Sequence, residues 1–154
     1  IKVGASGKIV SAFDIASVLA TGADWANSAR GFMFAIGCIQ SQSCHTNKCP
    51  TGVATQDPLR QRALVVPDKA ERVRNFHRNT LKGLAEMIAA AGIQHPSQLE
   101  AKHLVRRVSA TEIRLFSQLH YFLKPGELLS GKIEGEFYER MWNMARADSF
   151  DAAA

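Results

Sequence analysis

Three cysteines, Cys38, Cys44 and Cys49, are separated by five and four intervening residues, and every cysteine of the chain falls within this window. Such crowding suggests a shared role, and four kinds of chemistry compete for it. The thiols are reduced side chains packed in a loop, or one pair forms a disulfide and leaves a free thiol. With His45 as a fourth ligand they suit a zinc site. Three thiolates, one per iron, also suit an iron–sulfur cluster, for which soft anionic sulfur is the preferred ligand. Pro50 and Gly52 would tighten the chain just after the last cysteine.

A second group of residues suits anion binding. Gly4-Ala5-Ser6-Gly7-Lys8 has the look of a nucleotide loop, but its spacing fails the Walker A pattern and Ile9 stands where a magnesium-binding Ser or Thr belongs. It is not a GxGxxG fingerprint either. Gly7 after a strand would let backbone amides approach a phosphate, and Ser28-Ala29-Arg30-Gly31 adds a hydroxyl, further amides and a guanidinium. Two successive strand-to-helix loops converging on one phosphate match the site found after strands 7 and 8 of (β/α)₈ barrels. Ordinary tight turns beside a surface arginine are the alternative.

The elements that would position these residues follow from local pattern. Residues 1–5 read as a buried strand and 24–28 as a weaker one. Between them Ser11 and Asp14 have capping-box spacing before a short helix ending near Gly22. This makes a βαβ unit, with parallel pairing expected. Residues 30–42 read as a buried helix, and 43–58 as an ordered loop. From Lys69 to Ala91 apolar residues recur at spacings of three and four, with Asp68 as N-cap and Gly92 as the stop. Pro96 to Glu100 opens another short helix. Ser109 and Glu112 repeat the capping device before an apolar stretch through Phe122, which Pro125-Gly126 ends. Phe137 to Ala145 forms a last helix, followed by an Ala tail expected to fray. Two strands do not make a self-sufficient parallel sheet, so their edges need partners, from further sheet or from self-association.

Composition bounds the classes. The 154 residues are 46% hydrophobic and 21% charged, which excludes disorder, and the length excludes a complete barrel of about 250 residues. No apolar run reaches the ~18 residues of a membrane span. The formal charge of +5 is interspersed with Glu71, Glu86, Glu100 and Glu112, which argues against nucleic-acid binding. His77 and His120 are isolated and read as helix-surface or core residues. Trp25, Phe32 and Phe34 suit either core packing or a planar ligand.

The stretch from Asn27 to Pro58, NSARGFMFAIGCIQSQSCHTNKCPTGVATQDP, closely resembles the FMN-binding domain of glutamate synthases, and in particular compact bacterial glutamate synthase-like proteins. IKVGASGKIVSAFDIASVLATGADW before it and DKAERVRNFHRNTLKGLAEMIAAAGI after it continue the likeness, which covers residues 1–108. The resemblance implies an α/β fold: the C-terminal fragment of a (β/α)₈ TIM barrel plus a helical extension, the fragment itself mostly α-helical. Residues 1–66 would be the end of the barrel with the cysteine-rich loop, and 67–154 the C-terminal helices. It implies FMN and a 3Fe-4S cluster as cofactors, with Cys38, Cys44 and Cys49 as metal ligands. Gly4, Ser6, Gly7 and Lys8, with Ser28, Ala29, Arg30 and Gly31, would lie at the flavin phosphate, and Arg30 would hold it.

The implied reaction is that of an oxidoreductase acting on CH–NH2 donors. 2-Oxoglutarate and ammonia, or nitrogen derived from glutamine, condense to 2-iminoglutarate, which reduced FMN converts to L-glutamate. The cluster would relay electrons from a redox donor. Contacts to 2-oxoglutarate and most of the flavin ring lie earlier in the family's domain, so no general acid or base is assigned here, and the isolated piece is expected to be inactive. Ser6 to Phe13 is less glycine-rich than the matching loop of the large synthases, which leaves the substrate open. A non-catalytic structural or interaction fragment and a zinc-stabilised module are the rival readings. The expected location is the cytoplasm, with an upstream segment able to add membrane association.

Overall fold

The computed structural model describes residues 1–151; the Ala tail expected to fray lies outside them. The chain divides into two units, one from Ile1 to Leu104 and one beginning at Val105.

The first unit opens with β1 (Gly4–Ser6) and β2 (Trp25–Asn27), paired in parallel with Gly4 opposite Trp25, Ala5 opposite Ala26 and Ser6 opposite Asn27. The βαβ connection is α1 (Ala12–Ala20). Its start is the capping box read from sequence. Ser11 Oγ accepts the Asp14 amide at 3.2 Å, and the Asp14 carboxylate accepts the Ser11 amide at 2.8 Å, so two helix-end donors are satisfied. The Ser11 amide first, then the Ser11 hydroxyl and the Val10 amide, hold the Asp14 carboxyl below the usual carboxylate range.

Three further helices follow: α2 (Arg30–Ala35), α3 (Pro58–Gln61) and α4 (Val66–Ala90). The helix α4 begins earlier than expected. Pro67 occupies its first turn, where a fixed φ and a missing N–H cost nothing, so Val65 becomes the N-cap and Asp68 supplies first-turn negative charge. At the other end Gly92 takes φ +72, as a helix stop requires. The expected helix at 30–42 shrinks to α2, of which only Gly31 is buried. The core of this unit is Ala16 and Ala20 of α1 against Leu84 and Ile88 of α4, closed by Leu99. The region after Pro96 forms two single 3-10 turns, Pro96–Gln98 and Ala101–His103.

In the second unit β3 (Val105–Arg107) pairs antiparallel with β4 (Ile113–Leu115). Here the sequence expectation of a capped helix is overturned. Ser109 Oγ accepts the Thr111 amide, and the Glu112 carbonyl accepts the Val108 and Ser109 amides, so the capping residues close a hairpin turn instead. Helix α5 (Phe116–Leu119) keeps one turn of the expected element, and α6 (Glu127–Ser130) and α7 (Glu136–Met144) complete the unit.

The barrel expectation is corrected by this architecture. Among the described residues the fold is mostly α-helical, with two separate two-stranded sheets, neither of which closes into a barrel. Each of these strands is three residues long and, among the described residues, pairs with one neighbour only. Of β1 and β2 only Ala5 and Ala26 are even half-buried, so the parallel pair is no barrel wall.

Candidate functional site

The chemistry-bearing residues follow the two parallel strands and occupy the long connection between α2 and α4. Cys38 sits just past α2, its amide donating to the Met33 carbonyl at 2.9 Å. Cys44 opens a 3-10 turn, Cys44–Thr46, which Thr46 closes through both its amide and its hydroxyl onto the Ser43 carbonyl.

Asn47 then organises the rest of the loop. With φ 62 it adopts the left-handed backbone that Asn tolerates best after Gly. Its side-chain oxygen accepts the Gln56 amide at 2.6 Å and the Thr55 hydroxyl at 2.9 Å, and Gln61 reaches the Thr55 carbonyl at 2.8 Å. Sequence reasoning missed Asn47; the available signal was an Asn among turn formers eight residues before a Thr. The ordered loop expected over 43–58 is this network.

Cys49 lies inside it and is buried. Its sulfur sits 3.5 Å from the Thr51 hydroxyl. That hydroxyl and the amides of Ala54, Thr51 and Val53 draw the thiol down to about 7, because each donor favours the thiolate. Gly52 is required here: at φ +79 its backbone passes so close to α3 that a Cβ would stand 2.4 Å from the Arg60 carbonyl oxygen.

The three thiols do not converge in one place. Cys38 and Cys44 line a cavity of about 250 Å3 together with Arg30, Phe34, Gln40 and Gln42, whereas Cys49 is not on its wall. His45 is exposed on the 3-10 turn. Among the described residues no group of three His, Cys, Asp or Glu side chains is gathered to hold a metal ion. The expectation of a 3Fe-4S cluster on Cys38, Cys44 and Cys49 is therefore corrected, and so is the zinc site with His45.

The FMN expectation is corrected as well, since no site for it is evident. The loops are adjacent, for Ser28 Oγ donates to the Ile9 carbonyl at 2.7 Å. Their side chains, however, part company. Ser28 lines a cavity of about 280 Å3 with Trp25, Phe32, Phe76 and His77, while Arg30 faces Cys38 and Cys44. The space over Gly4 is taken by the Trp25 indole, 2.4 Å from where a Cβ would be. Ser6, Gly7, Lys8 and Ala29 are exposed, and Gly31 is buried beneath the Phe76 ring and the Ser28 hydroxyl. The hydroxyl and guanidinium expected to share one phosphate thus face different spaces.

A model of the conserved region in glutamate synthase matches residues 1–94. The chain belongs to the glutamate synthase family. Among relatives, the glutamate synthase large subunit-like protein YerD of Bacillus subtilis is 44% identical over 124 residues, covering 80% of this chain and 24% of that protein. The archaeal-type NADPH glutamate synthase of Dehalococcoides mccartyi is 29% identical over 71% of this chain and 23% of its own length. The NADPH glutamate synthase large chain of B. subtilis is 31% identical over 63% of this chain and 7% of its own. The chain therefore spans about a quarter or less of the relatives it matches. No solved structure matches it significantly. No helix among the described residues is long and apolar enough to cross a membrane.

Proposed function

We propose that this chain is a C-terminal portion of a glutamate synthase-type oxidoreductase and that on its own it is a structural and binding part, not a catalyst. One observation carries this reading: the family's conserved region runs through residues 1–94, yet the residues expected to do chemistry face separate spaces. In the whole protein, 2-oxoglutarate and ammonia, or nitrogen released from glutamine, would lose water to form 2-iminoglutarate. An electron pair and protons, drawn from a redox donor in the cytoplasm, would then give L-glutamate. In this reading residues 1–66 carry the loops that meet ligand and 67–154 the C-terminal helices.

The loops Gly4–Lys8 and Ser28–Gly31 are the proposed rim for an anionic group. Lys8 and Arg30 follow strands that run in parallel, so both loops leave the same end of the pair. The charge distribution supports the rim: residues 1–104 carry 12 Lys and Arg against 7 acids, while the remainder carries 7 of each, so the attraction for anions resides in the first unit.

The test is an assay of the purified chain for glutamate formation from 2-oxoglutarate and ammonia under a chemical reductant. No turnover is expected. Joining the chain to the preceding part of the B. subtilis YerD protein should yield glutamate formation, with Arg30→Gln weakening it roughly tenfold, as loss of a charged hydrogen-bond donor does. Turnover by the chain alone, or a fusion that folds without activity, would overturn the reading.

A further inference from the structure

The β3–β4 hairpin carries more positive charge than its own contacts use. Residues 105–115 hold Arg106, Arg107 and Arg114 against the single acid Glu112. The register sets Arg106 opposite Arg114, and like charges directly across a strand pair repel. Every residue from 105 to 114 is exposed, and the outer edge of β3 is unpaired among the described residues. At the tip Ser109 Oγ accepts the Thr111 amide at 3.3 Å, and the Arg107 guanidinium donates to the Ala110 carbonyl at 3.2 Å. The Ser109 hydroxyl proton has no acceptor among the described residues. An extended, exposed arm with two guanidiniums thus leads into a serine. An arginine stands three residues before a serine at three places: Arg106 before Ser109, Arg114 before Ser117 and Arg146 before Ser149. Two of these arginines are already engaged, Arg114 by the Glu112 carboxylate and Arg146 by Asp148 through two bonds of 3.2 Å. Ser117, moreover, lies within α5. Arg106 meets no carboxylate among the described residues, and Arg107 beside it bonds a carbonyl.

We propose that Ser109 is a phosphorylation site, modified by a serine kinase whose acidic substrate groove reads the arginines that precede the serine. Carboxylates of such a groove pair with the guanidiniums of Arg106 and Arg107, which supply both charge and a forked set of donors. The arm is extended before the enzyme meets it, so little chain must be reordered to enter the groove. In the transfer the Ser109 hydroxyl oxygen attacks the γ-phosphorus of ATP. A phosphorus–oxygen bond forms to Ser109, the bond from the γ-phosphorus to the bridging oxygen breaks, and ADP leaves. The hydroxyl proton passes to a base of the kinase and on to water, and nothing is oxidised or reduced. The new group adds about −1.5 to −2 charges at neutral pH, which cancels the excess of three arginines over one glutamate in the hairpin. Its oxygens take over the Thr111 amide from the hydroxyl, and Arg107, already at the turn, offers them a guanidinium. Glu112, the acid of the turn, is neutralised by Arg114. This inference rests on the hairpin and is independent of the proposed function.

The experiment incubates the folded chain with magnesium, ATP and the catalytic subunit of cyclic-AMP-dependent protein kinase, an arginine-directed enzyme, and locates the product by intact mass and peptide mapping. One phosphoryl group on Ser109 is expected. Arg106→Gln and Arg107→Gln should each slow the transfer roughly tenfold, as loss of a charged hydrogen-bond donor does, while Glu112→Gln should not slow it. Ser109→Ala should leave the chain unmodified. Circular dichroism of each variant separates loss of fold from loss of a recognised side chain. Transfer to Ser117 or Ser149 in place of Ser109, a rate that follows Glu112 and ignores the arginines, or modification only after the chain has been unfolded would overturn the proposal.

Discussion

In the unit formed by residues 1–104 the side chains at the core are apolar: Ala16, Ala20, Leu84, Ile88 and Leu99 meet between two helices and a turn. In the unit that begins at Val105 the one buried residue among those described is Glu127. Its carboxylate accepts the Tyr121 hydroxyl, the Lys124 amide at 2.8 Å and the Glu134 amide at 3.2 Å. In the same unit Phe137 and Leu129 stand 63% and 83% exposed. The first unit is thus stabilised by removing apolar surface from water, which is non-directional. The second is organised by hydrogen bonds that converge on one charge, which is directional and fails when a single partner is lost. The tryptophans report on the two cases separately, since Trp25 lies in the first unit and Trp142 in the second.

The largest effect should come from the apolar core. Leu84→Ala removes a side chain 7% exposed, packed with Ala16, Ala20 and Ile88. A loss of about 2–4 kcal/mol is expected from the missing transfer energy and the cavity left behind. Urea unfolding followed at Trp25 in a Trp142→Phe background measures it. A loss below about 1 kcal/mol would mean that the apolar cluster is not what holds this unit together.

Replacing the carboxylate probes the other unit. Glu127→Ala leaves the Lys124 and Glu134 amides and the Tyr121 hydroxyl without their acceptor. The unfolding midpoint reported by Trp142 should drop by several degrees while that reported by Trp25 stays put. Equal shifts at both tryptophans would erase the distinction drawn between the units.

The same carboxylate predicts an acid limit. The Tyr121 hydroxyl first, then the Lys124 and Glu134 amides, hold Glu127 below the usual carboxylate range. A depressed folded value means that the stabilisation is present above the unfolded value, about 4.3, and is lost as pH falls through the folded one. The Trp142 midpoint should therefore fall in acid, and fall less in Glu127→Gln; Asp148, lowered by Arg146, keeps a residual slope. At the alkaline end the sign reverses. Glu127 pushes the Tyr121 phenol up to about 12, so its contribution is present below about 10 and disappears as pH rises toward 12. A Trp142 midpoint flat across the acid range would break the assignment.

What the sequence disclosed divides along similar lines. Local signals were legible: Ser11 with Asp14 caps α1, the period of α4 runs to Gly92, and the cysteine loop is ordered. Signals that depend on competition between local options were not. Ser109 and Glu112 have the spacing of a helix cap, but here the Ser109 hydroxyl and the Glu112 backbone carbonyl, in place of its carboxylate, close the β3–β4 turn. The family resemblance was legible from the cysteine block, whereas the barrel and cofactors it implied did not follow. Spacing along the chain says that three thiols are near in sequence; only the backbone says that Cys49 turns inward while Cys38 and Cys44 share a wall. Glu127 gave no signal at all, since an isolated glutamate after Gly126 reads as a surface residue until its three donors are in view.

The smallest effect is expected at Glu134, and it separates backbone from side chain in the second unit. Its carboxylate lies 3.9 Å from the Lys124 ammonium, with the two side chains 73% and 74% exposed. Its amide serves the buried carboxylate. Glu134→Gln removes the ion pair and leaves the amide in place, so a change below about 1 kcal/mol is expected, shrinking further in high salt. The Trp142 midpoint of this variant should stay within error of the parent and keep the acid dependence set by Glu127. If Glu134→Gln instead matched Glu127→Ala, surface charge would be holding the unit, and the buried acceptor would be only one of several equivalent contacts.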